Sequence, residues 1–180
     1  LNQSGCPSSY IRADLAREED CRQVVQACDK RFGRVNGLVN AAGTTTRGTL
    51  EDTTVDVWDN IFAINVRGPF ILTQEAVRIM KRQQTRGSIV NILSIAVHCG
   101  AATIMAYSAS KAALGVLTKN VAHALRFDRI RVNGINMGWA DTVGEHTVQT
   151  ADGQPENWLE LAEAKEPFRR LLQAPDIANL

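Results

Sequence analysis

Between Glu18 and Phe32, apolar residues recur at Cys21, Val24, Val25, Cys28 and Phe32. That spacing lays them along one stripe of a helix, and Gly33 supplies a left-handed stop. Val35 to Asn40 is a short apolar run of the kind found in parallel strands buried on both faces. Val55 to Arg82 repeats with helical period, Ser88 to Leu93 reads as a strand, Thr103 to Arg126 as a helix and Ile130 to Ile135 as another strand. Tyr10 to Asp14 has the look of a short strand at the start. Strand and helix in alternation predict a Rossmann-like α/β fold, a doubly wound parallel sheet with helices on both faces. Ligands of such sheets bind outside the carboxyl ends of the strands. Asn40, Ser94 and the turn Asn136–Gly138 all fall at those ends.

Composition narrows the partners. A chain of 180 residues buries one core, so one domain is expected. Twenty basic and nineteen acidic side chains leave +1, which gives no footing for nucleic acid or an anionic membrane. No apolar run is long enough to span a bilayer, and no signal-peptide pattern opens the chain. Cys6, Cys21, Cys28 and Cys99 are scattered and read as buried thiols of a reducing compartment, hence a cytoplasmic protein. His98, His123 and His146 show no ligand spacing with them, so no metal is expected.

The candidate chemistry centres on Ala106-Tyr-Ser-Ala-Ser-Lys-Ala-Ala113. A helix brings Tyr107 and Lys111 onto one face. A cation beside a phenol favours the phenolate and lowers a pKa that is ordinarily near 10. Such a tyrosine can trade a proton with an alcohol near neutrality. Taken alone, the pair fits a packed tyrosine and a solvated lysine better. Ser94, closing the strand before it, is a candidate to hold the reacting oxygen. Pro69 lies inside the 55–82 helical pattern and has no N–H for the carbonyl four residues back. That carbonyl is Asn65's, free either to hold a water or to sit at a plain kink. His98 and Cys99 follow Ser94 and are candidates to line a pocket. Trp139 fits a pocket wall or simple packing, and His123 fits a structural place in its helix.

Asn40-Ala-Ala-Gly43, Asn65, Ser88-Ile-Val-Asn-Ile-Leu-Ser94, Tyr107 with Lys111, and Arg131-Val-Asn-Gly-Ile-Asn-Met-Gly-Trp-Ala-Asp-Thr142 occur in one order. In that order the chain resembles the classical short-chain dehydrogenase/reductase family, from about Tyr10 onward. The resemblance implies an NAD(P)-dependent enzyme that interconverts a secondary alcohol and a ketone, on a sugar, polyol or small hydroxy compound. It implies Tyr107 as general acid or base, and Lys111 as the group that tunes it and bonds the nicotinamide ribose. Ser94 would position the substrate oxygen, and Asn65 would complete a proton relay. Asn40, Ala41, Ala42 and Gly43 would shape the wall near the adenosine ribose, and Asp14 would meet adenine. Gly138, Ala140 and Thr142 would hold the carboxamide and the neighbouring phosphate. A homotetramer through the 55–82 and 103–126 helices is implied too. Singly, each position has an ordinary alternative: a capping Asp14, a strand-end Ser94, and asparagines that satisfy buried backbone.

The sequence also departs from the family pattern. No two glycines lie two residues apart, so the family's Thr-Gly-x-x-x-Gly-x-Gly phosphate loop is absent. A βαβ unit takes about 30 residues or more. Residues 1–180 therefore read as part of one Rossmann-like domain, without the first βαβ portion and the last strand. Phe168 to Leu180 resembles the start of the family's penultimate helix. Val143 to Glu166 is a polar insertion where the family keeps its substrate lid. Met137 stands where the family usually has proline, which should loosen that turn slightly. The choice between NAD and NADP belongs to the part that is absent. The alternative reading is a non-catalytic binding or regulatory relative, or a fragment unable to hold cofactor.

Overall fold

Three parallel strands in the order β1 (Gly37–Asn40), β2 (Ser88–Ser94), β3 (Arg131–Met137) form the sheet in a computed structural model describing residues 7–180. Gly37 pairs with Ser88 and Asn40 with Asn91; on the other side Ser88 pairs with Arg131 and Ser94 with Met137. Both crossovers run through helices. Helix α1 (Glu18–Phe32) precedes β1. Helices α2 (Val55–Phe62) and α3 (Gly68–Arg82) link β1 to β2, and α4 (Met105–Ala124) links β2 to β3.

Helix α1 follows the expected stripe. Cys21 and Val25 are buried, with Val24 and Cys28 packed beside them. Acidic residues open it, Lys30 and Arg31 close it, and Gly33 at φ +71 ends it with its N–H on the Asp29 carbonyl, each in accord with the helix dipole and the left-handed cap. The core formed by α1, α3 and the end of α4 gathers on one face of the sheet, over Leu38, Ile89 and Val132. Arg22 bonds the buried Glu75, and Arg82 grips Asp29 at 2.8 Å, tying α1 to α3.

Several boundaries differ from the sequence reading. Tyr10–Asp14 is not a strand. At its end the backbone turns to local partners: the Asp14 N–H donates to Asp20 Oδ2 at 2.9 Å and the Asp14 carbonyl accepts from Arg17. A strand requires a ladder partner, and none of the described strands adjoins it. β1 begins at Gly37 rather than Val35, and Val39 is 64% exposed. It is therefore not buried on both faces. The side chains of Val39, Val90 and Ile92 alternate away from the helices, on the face opposite Leu38 and Ile89.

The 55–82 helix is interrupted. Ala63–Arg67 forms a π turn between α2 and α3, with the Gly68 N–H reaching the Ala63 carbonyl. Pro69 follows immediately, and a widened turn accommodates a residue with no N–H and a bulky ring. Gly68 is sterically required: a Cβ there would sit 2.9 Å from the Leu15 carbonyl oxygen. Residues 143–166 are not a loop. They fold into α5 (Val143–Ala151) and α6 (Trp158–Glu163). Thr142 caps α5 by accepting the Glu145 N–H, and Trp158, Ala162 and Leu171 form a second small core. The last helix, α7 (Ala174–Ala178), starts six residues after Phe168, where Gln173 and Asp176 cap each other's backbone. Met137 is the last residue of β3 and lies opposite Ser94. Among the described residues no helix is long and apolar enough to cross a membrane.

Candidate functional site

Ser94 is the last residue of β2, and Tyr107 lies in the first turn of α4. The Ser94 side chain accepts the Ala96 N–H at 3.1 Å, capping the short 3₁₀ turn Ile95–Val97. A hydroxyl that accepts there keeps its own proton free to donate. Burial pushes the Tyr107 phenol above its ordinary value of 10; a hydrogen bond to Ser94 pulls it part of the way back, and the Glu145 carboxylate pushes it up again. The expected lowering by Lys111 is therefore not what governs the phenol here. The ammonium lies 5.7 Å from the ring centroid, and desolvation outweighs its influence.

Lys111 is itself perturbed. It is 5% exposed, and burial pulls its pKa from 10.5 down to about 8. Its Nζ donates to the Ile92 carbonyl of β2 at 2.7 Å. Gly43 packs against the same nitrogen: a Cβ at Gly43 would lie 3.5 Å from Lys111 Nζ and 3.2 Å from Asn65 Oδ1. A side chain there would crowd Asn65 Oδ1 and come into contact with the ammonium, so glycine keeps this approach open.

Asn65 is completely buried, and its amide is fully committed. Oδ1 accepts the Thr44 N–H at 2.9 Å; Nδ2 donates to the Thr44 carbonyl at 2.9 Å and to Ser110 Oγ at 3.0 Å. Ser110 in turn donates to the Tyr107 carbonyl at 2.7 Å. The side chain therefore brackets the Gly43–Thr44 turn to α4. The Asn65 carbonyl is the one that Pro69 has no N–H to meet. Ser110 and Thr44 were missed as site residues. Ser110 was within reach of inspection, because it sits in the same turn as Tyr107 and Lys111.

The remaining candidates are more dispersed. Asn40 is buried at the end of β1, whereas Ala41, Ala42 and Gly43 are exposed. Asp14 takes the capping alternative, with Oδ1 accepting the Ala16 N–H at 2.9 Å. Gly138, Ala140 and Thr142 follow β3, but their surroundings are engaged. Ala140 bridges to Leu172, a Cβ on Gly138 would meet Leu172 at 3.4 Å, and Thr142 caps α5. Trp139 stacks with Trp158 and donates its indole N–H to Glu145 at 2.8 Å, so it holds α5 rather than standing free. Arg47 reaches from the other side to Asp152 at 2.9 Å and Glu145 at 3.7 Å. A hollow of about 730 Å³ takes in Cys99, Leu50, Met105 and Ser108, but neither Ser94, Tyr107 nor His98 lines it. Cys99 is exposed and Cys28 half-buried, so only Cys21 of the described thiols is the buried one expected; Cys6 lies outside the described residues. Among the described residues no cluster of His, Cys, Asp or Glu could hold a metal ion.

Residues 2–180 match the family model described as enoyl-(acyl carrier protein) reductase. The chain is 42% identical over 150 residues to the short chain dehydrogenase adrF of Penicillium rubens, covering 83% of this chain and 56% of that protein. It is 35% identical over 178 residues to an uncharacterized oxidoreductase of Thermotoga maritima, covering 99% and 70% respectively. Among solved structures, a putative short-chain alcohol dehydrogenase of Sinorhizobium meliloti superposes with a TM-score of 0.87 at 31% identity, over 98% of this chain and 68% of that one. ElxO with NADP bound superposes at 0.84 and 24% identity, over 95% and 68%, and supports the fold. The chain spans 56% and 59% of the length of two fungal relatives, adrF and trt9. By model match, identity and fold, it belongs to the short-chain dehydrogenase/reductase family.

Proposed function

We propose that the protein is an NAD(P)-dependent oxidoreductase interconverting a secondary alcohol and a ketone. The observation that carries this reading is the meeting of three groups at the carboxyl end of β2: the Tyr107 phenol, the Ser94 hydroxyl hydrogen-bonded to it, and the buried Lys111 ammonium on the Ile92 carbonyl. Two O–H groups side by side suit an oxygen that gains or loses a proton. That geometry favours a carbonyl or an alcohol over a carbon–carbon double bond. The substrate class we assign is a sugar, polyol or small hydroxy compound.

The site fits a dinucleotide. Lys111 carries three N–H bonds, and Ile92 accepts one. The others can meet ribose hydroxyls across the clearance left by Gly43. Asn40, Ala41, Ala42, Gly43 and Asp14 would border the adenosine portion. Gly138, Ala140 and Thr142 would face the carboxamide after Thr142 releases its cap. The cofactor, when bound, supplies or accepts hydride. Tyr107 donates the proton to the nascent alkoxide, or removes it in the reverse direction. Ser94 donates to the same oxygen and fixes it in line. Lys111 balances the developing phenolate. Asn65 offers its carbonyl to a water behind Lys111, through which the phenol regains its proton.

Fluorescence titration of the full-length protein with NADH and NADPH tests the reading. Saturable binding of one of them, with turnover of secondary alcohols, is expected; binding of neither would sink it. We further propose a homotetramer through the 55–82 and 103–126 helices. Phe70 on α3 is 45% exposed and Val116 on α4 is 58% exposed, apolar surface on helices otherwise packed. Light scattering should give four times the protomer mass, and a clean monomer would refute it.

A further inference from the structure

Segment 40–44 is fastened to α4 at two separate points, and one of them runs through two residues, Asn91 and Thr118, that have no assigned role. At its far end Thr44 is held through Asn65 to Ser110. At its near end Asn40 donates from Nδ2 to Asn91 Oδ1 at 2.7 Å, and Asn91 donates from Nδ2 to Thr118 Oγ1 at 2.8 Å. Thr118 donates to the Leu114 carbonyl at 2.7 Å. Asn40, Asn91 and Thr118 are each 5% exposed or less. Gly43 lies between the two fastenings, against Lys111.

The direction of this chain of bonds is fixed at its α4 end. Thr118 has one proton, and the Leu114 carbonyl takes it. Its oxygen can then only accept from Asn91, so Asn91 must present Nδ2 to Thr118 and Oδ1 to Asn40. Asn40 must answer with Nδ2, supported by Thr73 Oγ1 at 3.4 Å. The result is a buried Asn40 Oδ1 with no partner. An unpaired buried acceptor is unfavourable. A flip of Asn40 would remove that defect only by setting two carbonyl oxygens face to face.

We propose that Asn91 and Thr118 are positioning residues: they lock the Asn40 amide in one orientation and so hold Gly43 at its clearance from the Lys111 ammonium. This rests on the oxidoreductase reading, since that clearance is where the dinucleotide ribose would lie. Asn91 reaches the site only through Asn40, and Thr118 only through Asn91. Their effect should appear in dinucleotide affinity more than in the proton-transfer step.

Thr118→Val keeps the shape and deletes both hydrogen bonds; Thr118→Ser keeps the hydroxyl. In the full-length protein, Thr118→Val should raise the Kd for the dinucleotide about 3- to 30-fold, as expected for a residue coupled to a site it does not contact. The KM for dinucleotide should rise in step, with kcat and the pH profile nearly unchanged, and Thr118→Ser should restore affinity. A Thr118→Val protein that loses thermal stability but binds as the wild type does would mark Thr118 as merely structural and overturn the proposal. If Thr118→Val does not fold, side-chain amide NMR of the wild type decides. The Asn91 NH₂ protons should show contacts to Thr118 and the Asn40 NH₂ protons to Thr73, and the reverse pattern would refute the locked orientation. A wild type that binds neither NADH nor NADPH would overturn the oxidoreductase reading and this one with it. Wild-type binding with unchanged Thr118→Val affinity overturns this one alone.

Discussion

Tyr107→Phe in the full-length protein should lower turnover about 10²–10⁴-fold, the range expected when a positioned acid or base is lost. The fold should survive, because the change removes one oxygen and leaves the ring in place. The phenol lies above its ordinary pKa of 10 because burial outweighs the Ser94 hydrogen bond. Without dinucleotide, Tyr107 is therefore a protonated acid at neutral pH, in the state that can give a proton to a carbonyl oxygen. Alcohol oxidation needs the phenolate, so its rate should climb with pH through the alkaline range while reduction stays flat near neutrality. The Phe variant should lose that slope. Steady-state rates in both directions across pH 6–10 check this. Near wild-type turnover by the Phe variant would end the assignment of Tyr107 as proton donor.

The helices and strands with clear period were legible in the sequence. α1 runs over the residues that its stripe and Gly33 marked. β2, β3 and α4 differ from expectation only at their ends. Missed features have identifiable causes. Tyr10–Asp14 has strand composition, but pairing is a tertiary property and its backbone finds local partners instead. The 143–166 segment is polar because it rests on a small core around Trp158, so few of its residues need be apolar. Thr142 marks the start of α5 alone. Pro69 announced a disturbance in 55–82, though not that a π turn would absorb it. In the candidate site, Ser94, Tyr107, Lys111 and Asn65 could be named from the sequence, but their electrostatics could not. Spacing places a lysine beside a tyrosine, whereas the direction of each pKa depends on how much water the fold removes. The supporting polar residues, Ser110, Asn91 and Thr118, carry no pattern of their own. A buried hydroxyl or amide is identified by its partners, and those partners lie on other elements.

Lys111→Met should abolish most activity and yet stabilise the protein at neutral pH. The folded pKa of about 8 lies below the 10.5 of an unburied lysine, so folding carries a penalty for keeping this group charged. The gap corresponds to at most about 3.5 kcal/mol, at ~1.4 kcal/mol per pKa unit. Loss of the bond to the Ile92 carbonyl would offset about 1 kcal/mol of it. The sign follows from proton counts. Below pH 8 both folded and unfolded chains hold the proton, and the penalty is complete. Between about 8 and 10.5 the unfolded chain still binds a proton that the folded chain has released, so wild-type stability gains with pH from this group. Above that window the penalty is gone. The melting-temperature advantage of Lys111→Met should therefore be greatest at pH 7 and shrink toward pH 10.5, which differential scanning fluorimetry on both proteins can follow. A Met variant that melts below wild type at pH 7, or an advantage that does not change with pH, would mean that the ammonium is solvated or paired in solution. The dinucleotide ribose could not then be what it awaits. If the advantage is seen, a charge is kept here at a cost to stability, as suits a cation whose use comes when a phenolate develops beside it: in a dry site that attraction is far stronger than in water.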